Sequence, residues 1–195
     1  MAEPKTVSLD PLVNLLAKDM QEVNATIMQR LSSDVPLIPE LAGHLIAAGG
    51  KRIRPMMTLA GAKIAQNEVL KKDAIIGLAT AVEFIHSATL LHDDVIDESN
   101  LRRGRDTANA LWGNEASVLV GDFLFARAFE LMVEAGNINV LGRLASASAQ
   151  ITKGEIKQMT IAGKPDTPQD TYFEVITGKT AILFAAAAAA GAQIA

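Results

Sequence analysis

Val82-Glu83-Phe84-Ile85-His86-Ser87-Ala88-Thr89-Leu90-Leu91-His92-Asp93-Asp94-Val95-Ile96-Asp97 is the stretch that decides the fold of this chain. It is an apolar helical pattern that ends in three aspartates. On a helix, Asp93 and Asp97 stand one turn apart, about 6 Å along the axis. Two carboxylates so close repel each other at neutral pH unless a cation sits between them. Mg²⁺ suits that place, because it takes oxygen ligands and completes its shell with water and substrate phosphates. Arg102-Arg103-Gly104 follow, and guanidinium forks bind diphosphate oxygens bidentately. In isolation the same residues would read as a solvated acidic helix end. Their partners elsewhere in the chain favour a site.

Backwards along this helix, His86 precedes Asp93 by seven residues, two turns, and lies within about 20° of the same face. An imidazole there is placed to donate a hydrogen bond to a phosphate oxygen. His92 faces elsewhere. Gly49-Gly50-Lys51-Arg52-Ile53-Arg54-Pro55 forms a second constellation. Its glycines let the backbone approach a ligand, and its cations open a helix whose N-terminal amides favour anions. Lys51 and Arg54, three apart, are expected to point the same way, and Arg52 away. Gly178-Lys179-Thr180 imitates the end of a nucleotide-binding loop, but Phe173 stands where that pattern needs glycine and no strand precedes it. Lys179 next to so apolar a stretch is expected to point into a site. Glu155 and Gln158, one turn apart, suit a polar cavity and a solvated face equally.

The rest of the chain reads as consecutive helices with short joints: Leu12 to Leu31, a short one ending at Gly49-Gly50, and one following Pro55 and fading around Gln66-Asn67. Then come Asp73 to Glu98, Ala116 to Glu134, Asn139 to Ala162, and a last one from Gln169 still running at Ala195. Ser99 to Asp106 and Gly163 to Pro168 read as loops. Nothing alternates as a strand would, and no linker divides the 195 residues, so the expectation is one all-α domain. Hydrophobic residues make up 49% and aromatics 4%, a core of aliphatic side chains that favours helices. A net charge of −4 argues against a broad nucleic-acid surface. The absence of cysteine excludes disulfides and thiolate metal sites. No apolar signal segment follows Met1-Ala2-Glu3-Pro4-Lys5, which favours a cytoplasmic protein. Ala181 to Ala195 is apolar but shorter than the roughly 20 residues that cross a bilayer, and reads as a buried core helix.

GGKRIRP (49–55), VEFIHSATLLHDDVID (82–97), RRG (102–104), GDFLFARAFEL (121–131) and YFEVITGKTAILF (172–184), in this order, closely resemble the trans-isoprenyl diphosphate synthases, and among them the long-chain octaprenyl and decaprenyl types. The resemblance runs from about residue 10 to the last. It implies an antiparallel helical bundle around a central cavity, usually a homodimer, that condenses an allylic diphosphate with isopentenyl diphosphate using Mg²⁺. It further implies that Asp93 and Asp97 bind the metal with Asp94 in support. Lys51, Arg54, His86 and Arg103 would hold isopentenyl diphosphate, and Arg102, Lys179 and Thr180 the allylic diphosphate.

In this family bulky side chains one or two turns before the aspartates block the growing chain. Ala88 and Thr89 stand there, which implies a long product such as a quinone side chain, released with transient membrane contact. The family's second aspartate-rich motif is not found after Lys179. The chain therefore reads as the N-terminal part of an enzyme, inactive by itself, or alternatively as a non-catalytic partner of a full-length synthase. The site residues are expected to converge on one cavity mouth. Phe123, Phe125, Phe129 and Leu131, in the helix Gly121 to Glu134, exceed one core stripe and are expected to build the dimer contact.

Overall fold

The computed structural model describes residues 8–65 and 72–195, and these are all-α apart from one two-residue strand pair. The expected helix fade at Gln66-Asn67 and the N-terminal Met1 to Lys5 lie outside the described residues. Helix α1 (Asp10–Arg30) has proline in its first turn and buries Leu16, Val23 and Ile27 on one stripe. Helix α2 (Leu37–Ala47) is short. Helix α3 (Ile53–Ile64) starts two residues before Pro55. That proline sits in the first turn, where its missing N–H costs nothing.

Helix α4 (Lys72–Ile96) is the axis of the molecule. Every residue from Ile75 to Ile85 is buried, as expected of a helix apolar on all sides and surrounded by others. Its C-terminal end emerges from the core at Asp93, and Asp97 follows directly after the last helical residue. Helix α6 (Asn114–Glu134) runs along one side of α4, with α1 and α3 on others. Gly121 lets the two helices close on His92, because a Cβ there would fall 2.2 Å from the imidazole Nε2. His92 thus faces α6, its ring nitrogen 3.1 Å from the Val118 carbonyl oxygen.

The segment expected to be a plain loop carries strands β1 (Leu101–Arg102) and β2 (Arg105–Asp106), paired antiparallel. Arg103 (φ 53°) and Gly104 (φ 78°) form its two-residue turn. Positive φ at both central positions matches the twist of a tight hairpin, and Gly104 takes it without strain. The hairpin is fastened to α2: a His44 ring nitrogen lies 2.8 Å from the Asp106 carbonyl oxygen, and Arg105 donates to the Ala47 carbonyl at 3.3 Å. A one-and-a-half-turn helix, α5 (Ala108–Trp112), follows and breaks at Gly113 (φ 87°).

Helix α7 (Ile138–Ile161) begins at an Asn137 cap whose side chain accepts from the backbone N–H groups of Asn139 and Val140. The last run is one continuous rod with a widened turn in it: α8 (Gln169–Ile176), a π turn (Thr177–Ala181) and α9 (Ile182–Ile194). This rod spans 26 residues and, like α4, is long and apolar enough to cross a membrane. The apolar stretch counted from Ala181 alone is shorter than the helix that contains it. Helix α9 packs on α3 and α7. The α3 contact is backbone-close, for a Cβ on Gly191 would lie 1.9 Å from the Thr58 carbonyl oxygen.

On α6, Phe129, Leu119 and Val133 are exposed, while Phe123 and Phe125 are half-buried. Leu131 departs from the expected dimer face. It is buried in the core, where its Cδ2 would meet a Cβ added at Gly77 of α4.

Candidate active site

A cavity of about 510 Å³ opens where the chain passes from α2 into α3. Lys51, Arg52 and Arg54 line it from one side, Arg102 and Arg103 from the hairpin, and Glu83 and His86 from α4. Gly50 is needed here for space: a Cβ would stand 3.1 Å from an Arg103 terminal nitrogen. Arg54 lies over the ring of Phe184 in α9, 4.3 Å from its centroid. Burial lowers the Arg54 pKa against the opposing charge of Glu83, and its Nε is buried with no hydrogen-bond partner. An anion is what such a group lacks. Burial, reinforced by Arg54, Arg102, Arg103 and Arg52, pushes the His86 pKa down to about 3. At neutral pH the imidazole is therefore uncharged, with one N–H to donate.

Arg52 corrects the expectation that it points away. It stands just before α3 in the left-handed region (φ 48°). Helical spacing from Lys51 and Arg54 therefore does not fix its direction. Its guanidinium crosses to α4, donates to the buried Glu83 carboxylate and approaches the Ile46 carbonyl at 3.5 Å.

The acidic side is built differently. Asp94 is buried and gripped by Arg102, whose Nε and a terminal nitrogen donate at 2.9 and 2.8 Å. Asp93 faces α7 and the π turn. The Lys179 ammonium lies 2.7 Å from the Glu155 carboxylate and 3.8 Å from that of Asp93. Burial, then Glu155 and Asp97 against the pull of Lys179, raise the Asp93 pKa to about 6. For Lys179, burial acts downward, but the Glu155 hydrogen bond and the charges of Asp93, Glu155 and Asp97 outweigh it and raise the pKa. The π turn reaches this place because Gly154 and Gly178 let two backbones touch: a Cβ on Gly154 would sit 2.6 Å from the Lys179 amide nitrogen. Thr180 is exposed in the next position, and Asp97 is exposed at the end of α4.

The expected single mouth is thus two adjoining sites. The cationic cavity takes Lys51, Arg54, His86 and Arg103. Asp93 lies about 10 Å further along α4, counted from His86, and Asp97 about 16 Å, just past the helix end, with Lys179 and Glu155 against Asp93. Arg102 belongs to both. Among the described residues no three His, Asp or Glu side chains form a ready cage for a metal ion. The crowded, partly desolvated Asp93 carboxylate, held against Glu155 and Asp97, nevertheless fits a divalent ion that takes a few carboxylate oxygens and fills its shell with water and phosphate. Sequence reasoning left Glu155 undecided and missed Glu83 altogether. Its spacing of three from His86 was the available signal.

The sequence pattern of the polyprenyl synthetase family matches residues 35–195. The chain belongs to the polyprenyl synthetase family. It is 47% identical over 182 residues to the octaprenyl diphosphate synthase of Escherichia coli (strain K12), covering 93% of this chain and 55% of that one. A synthase of the same name from Haemophilus influenzae is 45% identical, with 100% and 58% covered. Among solved structures, a polyprenyl synthase from Caulobacter crescentus CB15, complexed with calcium and isoprenyl diphosphate, superposes with a TM-score of 0.94. It is 54% identical and covers 98% of this chain and 58% of that chain. A decaprenyl diphosphate synthase from Rhodobacter capsulatus gives a TM-score of 0.91 at 54% identity, covering 96% and 57%. The chain spans a little more than half the length of these polyprenyl synthetase relatives.

Proposed function

We propose that this chain carries the two diphosphate sites of a long-chain trans-polyprenyl diphosphate synthase. The observation that supports this best is that Lys51, Arg54 and Arg103 line a cavity beside His86 of α4, while further along the same helix Asp93 faces Lys179 and Glu155. Two diphosphates with different needs fit the two places. Isopentenyl diphosphate is assigned to the cavity, held by Lys51, Arg54 and Arg103, with the neutral His86 donating to a phosphate oxygen. The allylic diphosphate is assigned to the Asp93 side, where Lys179, Thr180 and Arg102 contact it and Asp93 and Asp97 would hold Mg²⁺.

Bound there, Mg²⁺ supplies charge that stabilises the departing diphosphate. The protein's own groups do the rest. Lys179 moves between Glu155 and the leaving group, and Arg102 keeps Asp94 fixed so that α4 presents Asp93 and Asp97 at a constant angle. The allylic C–O bond breaks with its electron pair on the diphosphate. The double bond of isopentenyl diphosphate then attacks the carbocation, and the proton lost in restoring a double bond passes to the released diphosphate. Positioning and fixed charge carry the rate.

The small side chains of Ala88 and Thr89, about one turn before Asp93, support a long product such as a quinone side chain. The enzyme is read as a cytoplasmic homodimer in one domain, in contact with a membrane only as the apolar product leaves. The test is condensation of an allylic diphosphate with labelled isopentenyl diphosphate by an enzyme carrying these residues at the relatives' full length. Mg²⁺-dependent long-chain product supports the reading. Efficient hydrolysis of the allylic diphosphate without chain growth contradicts it.

A further inference from the structure

Among the described residues, Glu83 is the one acidic side chain lining the cationic cavity, against Lys51, Arg52, Arg54, Arg102 and Arg103. It is 6% exposed, lies one turn before His86, and holds Arg52 in an ion pair. Arg102 is already engaged by Asp94, so Glu83 and Arg52 are the pair whose partnership an incoming anion contests. Arg52 is held there with its backbone in the left-handed region, a conformation non-glycine residues adopt at a cost.

The chemistry of chain growth gives this pair a task. In each condensation the allylic partner loses its diphosphate and the isopentenyl partner keeps its own. The elongated product therefore finishes with its diphosphate in the cationic cavity, and must carry it to the Asp93 side before the next round. Fixed cations with no counter-charge would hold a diphosphate too well for repeated transfer.

We infer that Glu83 is a positioning residue that competes with the diphosphate for Arg52. It holds the arginine over the empty cavity, yields it to an arriving diphosphate, and reclaims it when the elongated diphosphate leaves. This rests on the assignment of the cavity to isopentenyl diphosphate.

The experiment is calorimetric titration of this chain with inorganic diphosphate, without divalent metal, for the wild type, Arg54→Gln, Glu83→Gln, Arg52→Gln and the double variant Glu83→Gln/Arg52→Gln. Removing the Glu83 charge should tighten binding by about tenfold, the order a unit charge a few ångströms away exerts under partial screening. Equal or weaker binding by a Glu83→Gln protein with native helical circular dichroism overturns the inference. If Glu83→Gln does not fold, Glu83→Asp, which shortens the reach to Arg52, replaces it. Competition requires the gain over Arg52→Gln in the double variant to be smaller than the gain of the single variant over the wild type; an equal or larger gain is plain repulsion and overturns the inference. Failure of Arg54→Gln to weaken diphosphate binding would instead remove the cavity assignment, and this inference with it. In the active enzyme Glu83→Gln should lower KM for isopentenyl diphosphate and kcat together, whereas loss of a merely structural contact would raise KM.

Discussion

Arg102 grips both carboxylate oxygens of Asp94 through hydrogen bonds of 2.8 and 2.9 Å, and this fork ties the hairpin to the end of α4. It holds the arginine pair at the junction of the cationic and acidic sites. Arg102→Gln should lower the unfolding free energy by about 3 kcal/mol, because it leaves a buried carboxylate without its partner. Urea denaturation checks this. Asp94→Asn added to Arg102→Gln should recover part of the loss, and a full, unchanged deficit in the double variant would show that the charge is not the cause.

Asp93 should destabilise the metal-free fold at neutral pH. Its folded pKa of about 6 lies above the ordinary value of 3.8, so the folded state binds the proton more tightly than the unfolded chain. The stability associated with that proton is fully present below 3.8 and lost as pH rises through 6. Asp93→Asn should therefore raise Tm at pH 7.5 without divalent metal, and the gain should shrink as pH falls from 6 toward 4. Thermal melts across that range measure it. A gain that grows on acidification would contradict the sign.

In the active enzyme, Asp93→Ala should lower turnover by orders of magnitude while leaving isopentenyl diphosphate binding nearly intact, because the carboxylate serves the other substrate. Steady-state kinetics paired with direct binding separates the two. Lost isopentenyl diphosphate affinity with normal turnover would reverse the subsites.

Ala88→Phe should shorten the product and also cost about 1–3 kcal/mol, since Ala88 is fully buried and a ring there overpacks the core. Chromatography of the prenyl products and a denaturation curve report both effects. An unchanged length distribution would place the product path along another face of α4.

Of the residues expected at a dimer contact, Phe129 is exposed on α6, as are Leu119 and Val133, and we propose this apolar surface for contact with a second copy. Phe129→Arg should convert a dimer to monomers by size-exclusion chromatography with light scattering. A dimer unaffected by this change would move the interface elsewhere.

Helix α4 and its aspartates were legible because an unbroken apolar pattern and three carboxylates at helical spacing are local properties. The inward direction of Arg52 was not. It depends on a left-handed φ before α3 begins, where helical spacing does not apply. The hairpin at Leu101–Asp106 is too short for alternation to register, and its hold on α2 through His44 is a contact between distant segments. The same is true of the π turn. Gly178-Lys179-Thr180 reads as ordinary helix until Gly154, twenty-four residues earlier, is seen to admit its backbone. Leu131 was assigned to the wrong face because an apolar surplus on α6 does not reveal which residues α4 covers.

We propose that two diphosphates bind in two chemically distinct places, one without metal and one with it. Calorimetric titration with isopentenyl diphosphate in the absence of divalent ions, for the wild type, Arg54→Gln and Asp93→Asn, tests it most directly. The account predicts metal-free binding that Arg54→Gln weakens at least about tenfold, the scale of a lost charge-assisted contact, and that Asp93→Asn leaves within about twofold. Binding that requires Mg²⁺, is abolished by Asp93→Asn and is indifferent to Arg54→Gln would contradict it.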